Sequence, residues 1–382
     1  MEDAFGDLGE LVALPTEAIT AAAARDADVL VIRNETPVNE GLLRGSRARF
    51  VASATAGSDH VDFAYLEARG IGFANAPGAN ANSVKEYVVA ALLAFAARQG
   101  LALSGKTLGV VGVGHIGSKV TAASKALGMK VLENDPPLAR AMGDPRFVAL
   151  DEILDADFIT LHTPLARTGP DATFHLFDHD RFSRVKKGAV LVNTSRGGVV
   201  DTAAFRQALQ QGRVAAALVD VWENEPLIDA DFLAQTALGT AHVAGYSMEG
   251  KLAALCMVRE AVCSYFGLSA PWNPAQHLGT PEGSRIAPAR HGLKQELALH
   301  NIVRQVYDIE QDDALLREMV SLAPEQREAY YTRLRINYRP RREFSSYAVE
   351  LQPEDENLKE SLVALGFNCI PAGQATPREG PT

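Results

Sequence analysis

The chain has 382 residues, 47% of them hydrophobic and 22% charged, the make-up of a globular protein with room for two or three domains. A formal charge of −10 excludes the domain-wide basic field that collects nucleic acid, so an anionic ligand needs a local cluster of Arg or Lys. Cys256, Cys263 and Cys369 lack metal-ligand spacing; the first two share one predicted helix face and are expected as buried core thiols, in a reducing cytoplasm with no membrane contact and no metal.

A helix is predicted over 2–11 and strands over 29–33, 50–54 and 71–74, the second leading into Thr55. The helix predicted over 83–98 is apolar almost all round, as in a helix buried between two lobes. Residues 106–113 form a nearly continuous apolar run, the mark of a parallel strand covered on both faces. It leads into Gly112-Val113-Gly114-His115-Ile116-Gly117 and a helix that stops at Gly128. Strand, glycine turn and helix together are the context in which this spacing signals dinucleotide binding. The first glycine makes the turn, the second lets backbone approach a pyrophosphate, and the third packs helix on strand. The helix N-terminus then holds the phosphates. The next strand, 130–134, ends at Asp135, whose carboxylate can accept both adenine-ribose hydroxyls and would repel a 2′-phosphate. With no Arg in the residues that follow, the pattern reads as NAD rather than NADP.

Four more strands carry unusual polar residues at their carboxyl ends, where ligands gather in an open α/β sheet. Strand 158–162 runs into Thr163, 189–193 into Arg196, and 215–219 into Asp220 and Glu225. Strand 238–243 carries His242 and leads to Gly245 and Tyr246. A helix over 248–266 returns to the first lobe, and the Pro- and Gly-rich 271–288 reads as a linker. Beyond it, a helix over 294–308, a strand over 346–351, a helix over 354–365 and a strand over 368–371 predict a separate domain. Its basic run (Arg333, Arg335, Arg339, Arg341 and Arg342) can be a solvated face, an oligomer contact or an anion site. The tail 372–382 is expected to be disordered.

Arg196, Glu225 and His242 suit the oxidation of a secondary alcohol. An imidazole exchanges its proton near neutral pH, a carboxylate fixes its tautomer, and an Arg grips an α-carboxylate with two parallel hydrogen bonds. Position alone leaves a structural role open for each of them. The motifs Asn193-Thr194-Ser195-Arg196-Gly197, Asp220-Val221-Trp222-Glu223-Asn224-Glu225-Pro226 and Thr240-Ala241-His242-Val243-Ala244-Gly245, together with Ala54-Thr55-Ala56-Gly57, resemble the D-isomer-specific 2-hydroxyacid dehydrogenase family. That resemblance implies an α/β fold in which a Rossmann-type NAD-binding domain (83–251) is inserted in a flavodoxin-like substrate lobe (1–82 and 252–270). A linker (271–288) and an α+β C-terminal dimerisation domain (289–371) follow. It also implies His242 as acid/base, Glu225 as its partner and Arg196 as the carboxylate clamp. Gly112, Gly114, His115, Ile116, Gly117, Asp135, Thr163, Asp220 and Gly245 would hold NAD, and Asn34, Thr55 and Tyr246 would meet a small phosphorylated 2-hydroxy acid. For the phosphate, Arg33 is one candidate, and Arg341 or Arg342 reaching over from a second subunit is another. Other D-2-hydroxy acids such as 3-phosphoglycerate, or a non-catalytic NAD-sensing role, are the alternatives.

Two departures stand out. Asn34 occupies a position where the family has Ser, which leaves substrate identity at that corner open. The family also begins with a strand inside the first lobe's sheet, whereas this chain starts at the following helix. A start placed too late, or a truncation, is the expectation, with unpaired backbone groups left between two strands at about 1–3 kcal/mol for each one buried.

Overall fold

The computed structural model describes residues 2–269, 271–287 and 294–372. The expected tail beyond 372, the end of the linker at 288 and the start of the C-terminal domain at 289–293 lie outside these residues. No helix among the described residues is long and apolar enough to cross a membrane. Two compact units emerge.

The first unit comprises Met1–Ala81 and Ser247–Gly279. Its parallel sheet has the order β1 (Val29–Ile32), β2 (Phe50–Ser53), β3 (Gly72–Ala74). β1 and β2 pair directly, from Val29 opposite Phe50 to Ile32 opposite Ser53, and β2 pairs with β3, which leaves β1 at the edge of this sheet among the described residues. The helix Met248–Phe266 covers this sheet. Ser247 caps its start by accepting the Gly250 N–H, and Gly267 ends it in the left-handed region. The helix predicted over 2–11 is reduced to Glu2–Phe5. Gly6 interrupts it, and the buried Arg259 guanidinium takes the Ala4 carbonyl and both Asp7 carboxylate oxygens, the latter at 2.7 Å each. All three cysteines are half-buried rather than sealed in a core.

The second unit comprises Asn82–Tyr246 and the chain from Thr280 onward. Its six-stranded parallel sheet is built from β4 (Thr107–Val111), β5 (Lys130–Asn134), β6 (Phe158–Leu161), β7 (Ala189–Asn193), β8 (Val214–Val219) and β9 (Leu238–Gly239). The order β5-β4-β6-β7-β8-β9 puts the change of winding direction beside β4, the strand that feeds the glycine turn. A smaller parallel sheet follows, with the order β10 (Arg285–Ile286), β11 (Ala348–Leu351), β12 (Asn368–Pro371). Among the described residues, three α-helices stand between β10 and β11, Gln295–Val306, Ile309–Arg317 and Pro324–Ile336. The sequence reading missed the last two, whose few apolar positions are scattered among charges.

The helix Ala81–Gln99 is buried on every side, with Tyr87, Ala91, Leu92 and Leu93 fully inaccessible. Its cover is not a second lobe. One apolar cluster joins it to Leu108, Val192 and Leu218 of the large sheet and to Ile302, Phe344 and Leu362 of the C-terminal segment. A polar seam crosses the same contact: Lys85 Nζ donates to the Leu365 carbonyl at 2.6 Å, Ser83 Oγ to Glu343 at 3.2 Å, and the Phe344 N–H to Glu86 at 2.9 Å. Burial pushes the Glu86 carboxyl up to about 8, against the pull of Lys85 and Arg341. A carboxyl whose folded pKa exceeds its unfolded one gives its full stability below the unfolded value and loses it as pH rises through the folded one. Glu86→Gln is therefore expected to match the wild type in urea denaturation near pH 4.5. It should become progressively more stable than the wild type up to pH 8–9, and curves that stay parallel across that window would refute the assignment.

Candidate active site

The glycine turn after β4 has the geometry a dinucleotide needs. Gly112 sits at φ +84°, where a Cβ would stand 2.8 Å from the His162 carbonyl carbon, and a Cβ on Gly117 would lie 1.9 Å from the Gly112 oxygen. Around Gly114, by contrast, a Cβ would meet nothing within 4 Å, which leaves open the cradle where backbone can approach phosphate. His115, Ile116 and Gly117 form the first turn of the helix His115–Ala126, whose N-terminus faces that space. Asp135 accepts the Val113 N–H at 2.8 Å and the Leu138 N–H at 3.0 Å, so its carboxylate is fixed beside the turn with lone pairs to spare. Thr163, just past β6, has a buried Oγ1 that no group among the described residues satisfies. Together these features fit NAD.

His242 lies on a loop, not on the strand predicted over 238–243, because β9 ends at Gly239. Asp220 is the physical reason. Its carbonyl accepts the His242 N–H at 2.8 Å, and its carboxylate accepts the N–H groups of Val243 at 2.8 Å and Ala244 at 3.0 Å. Three successive amides thus converge on one residue, forming an anion nest that pulls the chain out of extended geometry. His242 itself adopts φ +54°, in the left-handed region. The Thr240 hydroxyl donates to the same carboxylate at 2.6 Å. Asp220 is only 1% exposed, and burial pushes its carboxyl up despite the charge of His242 and these hydrogen bonds.

The imidazole turns toward Glu225, with Nδ1 2.7 Å from Oε2. A carboxylate can only accept, so Nδ1 carries the proton and Nε2 is left with its lone pair. The other Glu225 oxygen accepts the Trp222 N–H at 2.7 Å. Burial pushes the Glu225 carboxyl up, but His242, the Trp222 amide and the Arg335 charge together hold it below the usual range.

Arg196 follows β7, half-buried, with Nη1 donating to the Ser195 carbonyl at 2.8 Å. Tyr246 and Gly245 close the His242 loop, and the Tyr246 hydroxyl lies 3.4 Å from Arg335 Nη2. In the first unit, Thr55 Oγ1 donates to the Gly57 carbonyl at 3.1 Å and lies 2.9 Å from Ser53 Oγ. Asn34 is exposed beside the Arg33–Glu35 pair, whose closest approach is 3.8 Å. One phosphate candidate falls away. Arg341 is 4% exposed and donates to three carbonyls of its own unit, so it does not project toward a second subunit. The sequence reading missed Thr240, Trp222 and Arg335 as neighbours of the His242–Glu225 pair, and no local spacing marks them.

The family pattern described as D-isomer specific 2-hydroxyacid dehydrogenase, NAD binding domain, matches residues 80–244, and a domain of unknown function matches 285–366. An erythronate-4-phosphate dehydrogenase from Cronobacter sakazakii is 43% identical over 366 residues, 96% of this chain and 94% of that protein. One from Salinibacter ruber is 45% identical over 356 residues, 91% of each. Among solved structures, D-lactate dehydrogenase from Aquifex aeolicus, complexed with NAD and lactic acid, is 25% identical with a TM-score of 0.57, over 70% of this chain and 91% of that one.

Replacing Asp220 by Asn places an amide nitrogen against donors that the carboxylate now receives. Unfolding free energy in urea is expected to fall by about 1–3 kcal/mol, and an unchanged midpoint would show that the loop does not depend on this carboxylate.

Proposed function

Because the chain belongs to the erythronate-4-phosphate dehydrogenase family of D-isomer-specific 2-hydroxyacid dehydrogenases, we propose that it oxidises 4-phospho-D-erythronate at carbon two. The product is (R)-3-hydroxy-2-oxo-4-phosphooxybutanoate, on the route to pyridoxal 5′-phosphate. The observation that carries this reading is the 2.7 Å His242–Glu225 pair, which leaves the Nε2 lone pair to take a hydroxyl proton.

The residues divide the work as follows. Arg196 grips the substrate carboxylate through two parallel N–H donors and so orients carbon two. His242 Nε2 accepts the hydroxyl proton, and Glu225 stabilises the imidazolium that results. NAD, when bound, supplies the acceptor for the hydride that leaves carbon two. Gly112, Gly114, His115, Ile116 and Gly117 approach its phosphates through backbone, and Asp135 takes its adenine ribose. Thr163 and Gly245 lie against it. Asp220, whose carboxylate is engaged by Thr240, Val243 and Ala244, serves the same site by holding the His242 loop. Asn34, Thr55 and Tyr246 contact the substrate, and Arg33, or Arg342 of a second subunit, takes its phosphate.

In the domain scheme we propose, the NAD-binding domain is 83–251, the substrate lobe is 1–82 with 252–270, and 289–371 pairs two subunits. Exposed Leu315, Val320 and Ile336 in that last stretch support the pairing. The three free thiols fit a reducing cytoplasm.

The test is a panel of 4-phospho-D-erythronate, unphosphorylated erythronate and 3-phosphoglycerate, with NAD and a 2-oxo acid as terminal oxidant. The first substrate is expected to dominate, and preference for either of the others would displace this assignment. His242→Ala should cost about 10²–10⁴-fold in kcat. Arg196→Lys should mainly raise KM, since a single ammonium cannot form the paired contact. Unchanged kinetics in both variants would remove these residues from the mechanism.

A further inference from the structure

We propose that Arg341 is a positioning residue for this reaction: it fixes the peptides flanking Gly245 and so aims the Gly245 N–H at the bound dinucleotide. The inference rests on the NAD-linked reading above and adds to it a role for the C-terminal segment.

The guanidinium donates from Nε to the Tyr246 carbonyl at 2.8 Å, and from Nη2 to the carbonyls of Ala244 and Ser83 at 3.0 Å each. It stacks 4.2 Å from the centroid of the Tyr307 ring, with Glu343 supplying opposite charge nearby. One planar cation thereby ties the start of the helix Ala81–Gln99 to two carbonyls of the His242 loop. An ammonium, as a point charge, cannot reproduce that flat fork of donors.

The consequence follows from the planarity of the peptide bond. In a trans peptide the C=O and the next N–H point opposite ways. With the Ala244 carbonyl turned to Arg341, the Gly245 N–H is turned away from it. The neighbouring amides are already committed. Those of His242, Val243 and Ala244 go to Asp220, and that of Tyr246 goes to the Val243 carbonyl. Among the described residues, the Gly245 N–H has no acceptor. Ala244 is held at both ends, its N–H by an anion and its C=O by a cation, so the Gly245 donor has a set direction. That donor meets an oxygen acceptor of bound NAD.

Arg341→Lys and Arg341→Gln are compared with Leu362→Val, a fully buried change in the same segment at a residue that makes none of these hydrogen bonds. NAD affinity is read on cofactor-free protein by quenching of intrinsic fluorescence, and kcat and KM are then read with the hydroxy acid. Both Arg341 variants are expected to lose about tenfold in NAD affinity and in kcat, with KM for the hydroxy acid little moved because Arg196 is intact. Leu362→Val should lower Tm and leave affinity and kcat alone. Should Arg341→Gln fail to fold, Arg341→Lys carries the comparison. Unchanged NAD affinity and kcat in Arg341→Lys, or an equal loss in Leu362→Val at a matched drop in Tm, overturns the proposal. The affinity measurement needs no substrate. A wild-type protein that binds NAD and oxidises none of the panel therefore counts against the assigned reaction rather than against Arg341.

Discussion

One buried carboxylate organises the chemistry of this protein. Asp220 receives three successive amides, one on its carbonyl and two on its side chain, along with the Thr240 hydroxyl. Sealing a carboxylate from water costs several kcal/mol, and hydrogen bonds to a charged group return about 1.5–3 kcal/mol each. Three bonds to the carboxylate offset part of that cost, and losing one leaves more of it uncompensated. The left-handed backbone of His242 costs about 1–3 kcal/mol on its own account and persists because its neighbours on both sides are pinned. In that backbone the imidazole faces Glu225.

The second dependency is the cover of the helix Ala81–Gln99. A helix apolar on every side cannot stand against a sheet alone, because its outer face would meet water. The C-terminal segment supplies that face through Ile302, Phe344 and Leu362, and it brings polar groups along the same seam. Lys85 and Glu86, ionisable residues in a largely apolar helix, find their partners there. Arg341 enters with the same segment. A stretch that completes the hydrophobic cover thus also delivers a cation to the loop that bears His242.

Much of the large sheet was legible from local pattern. The strands Lys130–Asn134, Ala189–Asn193 and Asn368–Pro371 and the helix Met248–Phe266 fall where apolar runs and turn residues place them, since strand burial and helix capping are short-range signals. The glycine turn was legible for the same reason. The region after Gly239 was not. Its apolar alternation reads as a strand, and the signal against it sits about twenty residues earlier, in the side chain of Asp220. The helices Ile309–Arg317 and Pro324–Ile336 were illegible because their charged residues find partners at a distance, as Asp312 does with Arg339 and Asp313 with the Gly239 N–H.

What the sequence determined by itself is where most of the parallel strands lie along the chain, the turn suited to a dinucleotide, and a His, a Glu and an Arg near strand ends, because each depends on neighbours a few residues apart. The tertiary structure decided which of these groups meet. The distance from His242 to Glu225, the engagement of Asp220 with the loop beyond β9, and the burial of Arg341, one of a run of arginines, as an inner clamp all come from contacts between remote stretches. Their reason is common: a buried charge takes whatever donors or carbonyls the packed chain brings within about 3 Å, and no spacing along the sequence encodes that list.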